Sequence, residues 1–269
     1  MTEAGMDEHA ADAGPIALVT GASRGIGAAI ARQLAADGHD VALAARGAGA
    51  LHGLVDDLRR LHPDQRFAAL PVDLSADGAA AELVARCTAE LGPPTVLVNN
   101  AGTAPSARLE DTDDAALALV LRLHVEVPFA LIRAALPAIR SRGAGVAVQL
   151  ASTAGLRGFP FTAAYSAAKH GMVGLTRALA AEWARTPGIR AFAVCPGFVD
   201  TEITRRAAAD VAARGRSSAE DAFAALAAMN RIGRMHSVEE VAAAVGRLVL
   251  ERPTGVVLDL DRDPPLLTD

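Results

Sequence analysis

The chain has one lysine, Lys169, and one tyrosine, Tyr165; every other strongly basic side chain is arginine. It has no basic tract and its formal net charge is −5, which argues against a nucleic-acid-binding surface. No apolar run reaches the length of a membrane span. The first 14 residues are polar and acidic, the wrong composition for a secretory leader, and read as a disordered segment. The two cysteines, Cys87 and Cys195, lie far apart without metal-ligand spacing, so they read as buried free thiols and no metal is expected. There is no internal repeat, low-complexity linker or break in composition. These absences lead to the expectation of a soluble, cytoplasmic protein that binds neither nucleic acid nor membrane.

What is present suffices for a large core. Hydrophobic residues make up 51% of the chain, mostly Ala, Val and Leu, and 269 residues suit one large α/β domain. Apolar runs at 15–20, 41–45, 66–72, 94–98, 145–152, 189–195 and 256–260 read as strands. Helical patterns fill the intervals, which predicts a doubly wound Rossmann-type domain over 15–261 with seven parallel strands. The pattern at 113–139 is one long helix with Pro128 as its kink. Residues 201–230, rich in Ala and Arg, read as an inserted helical pair, a substrate lid. Ser218 with Asp221 and Ser237 with Glu240 have the spacing of capping boxes, the first weakened by Asp in place of Glu. The tail at 262–269 reads as mobile.

The first run passes at once into Gly21-Ala22-Ser23-Arg24-Gly25-Ile26-Gly27 and then into a helix. Strand, glycine turn and helix in that order let backbone approach a pyrophosphate at a helix N-terminus. The spacing T-G-x-x-x-G-x-G differs from G-x-G-x-x-G, and a glycine turn alone is also an ordinary tight connection. With both flanking elements in place, Gly21, Ser23, Arg24, Gly25, Ile26 and Gly27 are candidate dinucleotide contacts. The second run ends in Arg46, where NAD-binding folds carry an acid for the ribose 2′-hydroxyl. Without that acid, Arg46 and Arg24 offer guanidinium groups to a 2′-phosphate, which favours NADP(H) over two incidental surface arginines. Asp73 and Leu74 follow the third run and are placed to hold an adenine. Asn100, Ala101 and Gly102 follow the fourth and suit a close backbone approach to a ligand, while Asn99 fits a bond between strands equally well.

The lone lysine falls four residues after the lone tyrosine. On a helix these positions share a face, so ammonium and phenol point into one space. The expected consequence is a phenol pKa below its ordinary value of about 10. An ammonium can also release a proton, which a guanidinium cannot. A helix carrying an aromatic and a cation on successive turns would look the same, and only the surrounding motifs separate the two readings.

Those motifs are TGASRGIG at 20–27, NNAG at 99–102, Ser152, YSAAK at 165–169 and PGFVDT at 196–201. In this order and spacing, over 16–260, the chain resembles the short-chain dehydrogenases/reductases. The resemblance implies that Tyr165 is the general acid/base, that Lys169 lowers its pKa and binds the nicotinamide ribose, and that Ser152 holds the substrate oxygen. It implies further cofactor contacts from Pro196, Gly197, Val199 and Thr201, and a homodimer or homotetramer. Within the family it is nearest to reductases of 3-oxoacyl thioesters and polyketide-type ketones. Arg205, Arg206, Arg214 and Arg216 of the insertion would then meet thioester phosphates, unless they are simply a solvated helix face.

Two departures stand out. His124 occupies the place of an Asn that anchors a relay water in the family; it is expected either to bond that water and titrate below about 6.5, giving an acid limb, or to be a plain packed residue. Arg262-Asp263 replaces a glycine pair near the C-terminus, which puts the tail's usual contacts in question. These departures motivate a reading of another class, a cofactor-binding sensor or scaffold without turnover. A dehydrogenase acting on a cyclic alcohol is a further alternative.

Overall fold

The computed structural model describes residues 14–214 and 218–269. Its single sheet has eight strands in the order β3-β2-β1-β4-β5-β6-β7-β8. The strands are β1 Ile16–Thr20, β2 Asp40–Ala45, β3 Phe67–Pro71, β4 Val96–Asn99, β5 Gly145–Leu150, β6 Ile189–Cys195, β7 Val257–Asp259 and β8 Leu266–Thr268. β1 to β7 pair in parallel, and β8 runs antiparallel to β7. The doubly wound parallel architecture is as expected; the extra strand is not. It forms from the tail expected to be mobile, because Leu267 packs against the core and the Val256 amide donates to the Thr268 carbonyl at 2.6 Å. Pairing covers the edge that β7 would otherwise leave open.

Both faces of the sheet are covered, which is why β1 is buried along its whole length. Alternate residues serve opposite faces. Val19, Val98, Val148 and Val194 meet the helices α1 (Gly25–Ala36), α2 (Ala48–Leu61) and α9 (Val238–Glu251). Leu18, Leu97, Ala147 and Ala191 meet α3 (Ala79–Glu90), α5 (Val127–Arg142) and α6 (Ala163–Trp183). A slip of one residue would send each set to the wrong face, so the apolar pattern pins the register. Full burial of each Leu or Val stabilises by about 1.5–3 kcal/mol.

The long helix expected at 113–139 is built differently. It is α4 (Asp114–Leu121), a π turn over Arg122–Glu126, and α5. The irregularity falls on His124, ahead of Pro128, which sits in the first turn of α5 where its missing N–H is least disruptive. The 114–142 stretch has the length and hydropathy of a membrane span, yet it packs on the sheet through Val127, Leu131, Ile132 and Ile139. The insertion is a helical pair, α7 (Glu202–Arg214) and α8 (Ala219–Ala228). Both capping boxes close reciprocally, including the Ser218–Asp221 box expected to be weak.

The connections leave β1 toward β3 on one side and β4 toward β7 on the other. This reversal opens a crevice beyond the C-terminal ends of β1 and β4. The glycine turn and residues 100–102 flank it.

Candidate active site

Thr20 and Asn100 organise the crevice floor. The Thr20 hydroxyl donates to the Val98 carbonyl and accepts from the amides of Asn100 and Ala101 at 3.0 and 3.1 Å. The Asn100 side chain donates to the carbonyls of Thr20 and Gly21 at 3.0 and 3.2 Å. The bonding between strands assigned to Asn99 thus belongs to Asn100, whose amide braces the glycine turn. Asn99 is buried with its Nδ2 unpartnered.

The residues fit a dinucleotide. The N-terminus of α1 carries no side-chain cap and no acid in its first turn, so its N–H groups and dipole are available to an anion. Gly21 has φ 67°, a backbone conformation that favours glycine. The Ala22 amide donates to the Ala44 carbonyl at 3.1 Å, fastening the turn to the end of β2. Arg24 and Arg46 each lie two residues beyond that bond and are exposed at the same corner of the sheet. Arg24 donates to Glu202 at 2.7 Å. Asp73 is exposed and accepts from the Ser75 amide and hydroxyl, which, with a smaller pull from Arg46, hold its pKa below the usual carboxylate value. Leu74 is buried beside it.

On the other side, Ser152 follows β5 and its hydroxyl accepts from the Ala154 amide at 3.1 Å. A Cβ on Gly155 would lie 2.7 Å from the Lys169 carbonyl oxygen, so only glycine lets this turn pack so closely on α6. Tyr165 lies in the first turn of α6 and Lys169 one turn later, with Lys169 Nζ 5.5 Å from the Tyr165 ring centroid. The structure therefore brings Ser152, Tyr165 and Lys169 together.

Their electrostatics differ from expectation. Lys169 is buried and its ammonium donates to the Leu150 carbonyl at 2.5 Å. Burial pulls its pKa from the ordinary 10.5 down to about 7. Burial pushes the Tyr165 phenol up to about 12, with the facing Ser152 hydroxyl pulling partly back. The expected drop of the phenol pKa is absent, because desolvation of the phenolate outweighs the pull of the Ser152 hydroxyl.

His124 is buried and stands edge-on to Tyr165, with ring centroids 5.6 Å apart and planes at 84°. Its Nε2 lies 2.7 Å from the Thr103 carbonyl and 3.3 Å from the Thr103 amide; the shorter contact has Nε2–H donate, and Nδ1 is buried without a partner. A Cβ on Gly102 would lie 2.1 Å from His124 Cε1. Gly102 is thus needed to seat this imidazole, beyond the ligand approach expected of it. Burial, with Lys169 nearby, pushes the His124 pKa down to about 3, so the expected acid limb does not fall in the ordinary working range.

Pro196 accepts from the Thr153 amide at 2.9 Å, tying the Ser152 turn to the loop after β6. Thr201 accepts from the Thr204 amide at 3.2 Å at the start of α7. Gly197 packs against Asn230 and Asp261, and the buried Val199 pairs with His236. Residues missed from sequence do much of the holding. The Asn230 side chain accepts from the Phe198 amide at 2.7 Å and donates to the Phe198 carbonyl at 2.9 Å. Asp261 is wholly buried; one carboxylate oxygen accepts from the Arg231 amide at 3.0 Å, and Arg157 and His236 both approach the group at 3.6 Å. The Asp remaining beside the altered Arg262-Asp263 pair was the signal available for this cluster. Of the insertion arginines, Arg205 is held by Asp200 at 2.6 Å and lies over the Phe223 ring, whereas Arg206 is exposed. The Arg214 side chain and Arg216 lie outside the described residues.

The short chain dehydrogenase profile matches residues 15–212. A Streptomyces coelicolor protein provisionally named a ketoacyl reductase is 37% identical over 87% of this chain and 89% of its own. The cis-4-hydroxycyclohexanecarboxylate dehydrogenase of Sinomonas cyclohexanicum is 37% identical over 90% of this chain and 92% of its own. A point variant of actinorhodin polyketide ketoreductase, solved with NADPH, superposes with a TM-score of 0.82 at 36% identity, covering 89% of this chain and 92% of that one. With its glycine turn, its Ser, Tyr and Lys in one crevice, and its match over most of its length, the chain belongs to the short-chain dehydrogenase family.

Proposed function

We propose that the protein is an NADP(H)-dependent carbonyl reductase that interconverts a ketone and a secondary alcohol, with a 3-oxoacyl thioester or polyketide-type ketone as substrate. The observation that carries this reading is the buried Lys169 beside Tyr165 and Ser152, its pKa drawn to about 7. When bound, the nicotinamide supplies or accepts the hydride at the substrate carbon. Ser152 orients the substrate oxygen. Tyr165, protonated at neutral pH, donates its proton to that oxygen in the reductive direction. The phenolate left behind is stabilised by Lys169, which near half-protonation can return a proton toward it. In the oxidative direction Tyr165 takes the proton instead.

His124 serves as a positioning residue. Its neutral ring packs edge-on against Tyr165 and keeps Nδ1 as a buried, unpartnered acceptor, which suits a relay water. The NADP(H) preference rests on Arg24 and Arg46 at the corner where NAD-binding folds carry an acid. The NADPH held by the solved polyketide ketoreductase supports it. The same relative and the Streptomyces coelicolor protein support the substrate class. The Sinomonas cyclohexanicum relative supports a second reading, oxidation of a cyclic alcohol. Exposed Leu117, Leu119 and Phe129 on α4 and α5 support a homo-oligomer.

The test is NADPH oxidation with a panel of β-ketothioesters, cyclic ketones and quinones, run beside Tyr165→Phe. Turnover of the thioesters that disappears in the variant while NADPH binding remains is the expected result. NADPH binding without turnover of any ketone would favour the sensor or scaffold.

A further inference from the structure

Arg24 is the glycine-turn residue placed to meet a 2′-phosphate, and it already has an anionic partner. Its Nη1 donates to Glu202 Oε2 at 2.7 Å across 178 residues of sequence, joining the N-terminus of α1 to the first residue of α7. The two side chains are equally exposed, at 62% each, and among the described residues neither makes another side-chain hydrogen bond. The contact is seated as well as charged, for a Cβ on Gly25 would lie 3.7 Å from the Thr201 methyl group. The other ion pair at the foot of α7, Arg205 with Asp200, is local, five residues apart in sequence.

We propose that Glu202 competes with the cofactor's 2′-phosphate for Arg24 and so sets how strongly the protein prefers NADP(H), a role that rests on the cofactor reading above. An exposed carboxylate pair is weak, worth at most a few-fold in any equilibrium. A phosphate carries more charge and presents three acceptor oxygens, so it takes the guanidinium, but only after the pair has opened. NADH has no such phosphate and leaves the pair closed. The opened Glu202 remains in the first turn of α7, where the helix dipole favours its charge. Phosphate binding thereby releases one tie between the lid and the glycine turn, and the lid's state is linked to which cofactor is bound.

Dissociation constants for NADPH and NADH, measured by nicotinamide fluorescence without substrate, test this. Glu202→Gln should tighten NADPH about two- to fivefold and leave NADH unchanged. The gain should vanish when Arg24→Ala is also present, and it should shrink at high salt. If Glu202→Gln leaves NADPH affinity unchanged, weakens it, or shifts both cofactors equally in a protein that still prefers NADPH, the competition is overturned and the NADP(H) reading stands. A parent protein that holds both cofactors equally overturns the NADP(H) reading, and the competition with it.

Discussion

Burial decides the behaviour of single residues in the crevice. Lys169 holds its proton to an ordinary pKa of 10.5 in the unfolded chain and sheds it at about 7 in the fold. Between those values the unfolded chain binds the extra proton, so this residue's contribution to stability rises with pH across the window. Below pH 7 the buried charge costs its full amount, on the order of a few kcal/mol. Lys169→Met should therefore melt several degrees higher at pH 7 and below, lose that slope, and lose turnover by a factor of about 10² or more. A lower melting temperature at pH 6 would show that the bond to Leu150 outweighs the buried charge. His124 makes a contrasting prediction. Held neutral with a pKa of about 3, it should leave no acid limb between pH 5 and 8. The parent and His124→Asn should give superimposable pH profiles there, whereas His124→Ala should lower kcat about tenfold or more. A limb near pH 6 that only the parent shows would make the imidazole a titrating relay group.

The elements hold these residues through close backbone approaches. The π turn at Arg122–Glu126 carries His124 onto the face of Gly102, leaving no room for a side chain there. Gly102→Ala must displace the imidazole from Tyr165 and should destabilise the protein by about 1–3 kcal/mol, with a fall in kcat. Adding His124→Ala should recover most of the stability and little of the activity, a coupling that denaturant unfolding of the two single variants and the double variant measures. Additive losses would mean that the loop moves instead of the ring.

For the whole molecule, the stretch from α4 to α5 is seated on the sheet through Val127, Leu131, Ile132 and Ile139 and leaves Leu117, Leu119 and Phe129 exposed. In the homo-oligomer proposed above, a second copy of the chain would cover them. Phe129→Glu should shift the protein to a smaller species in sedimentation velocity at micromolar concentration, with the fold intact by circular dichroism. An unchanged sedimentation coefficient for a parent that is already a monomer would remove the basis for the oligomer.

The alternation of apolar runs with helical patterns was enough to establish the doubly wound sheet, since strands covered on both faces are apolar throughout. Tyr165 and Lys169 were legible because the chain's one tyrosine and one lysine stand at a helical i, i+4 spacing, and the glycine turn because it joins a strand to a helix, whereas Ser152 was legible only through the family's motif order. The tail strand was not, because three residues pair only when β7 is already in place to receive them. Nor could sequence show that Asn100 braces the glycine turn or that Asp261 lies buried among Arg157, Arg231 and His236, since these contacts join segments far apart in the chain. The Tyr165 and Lys169 pKa values were decided by the tertiary structure for a related reason. Spacing along a helix sets which charges are neighbours, whereas the loss of water around them depends on everything packed above.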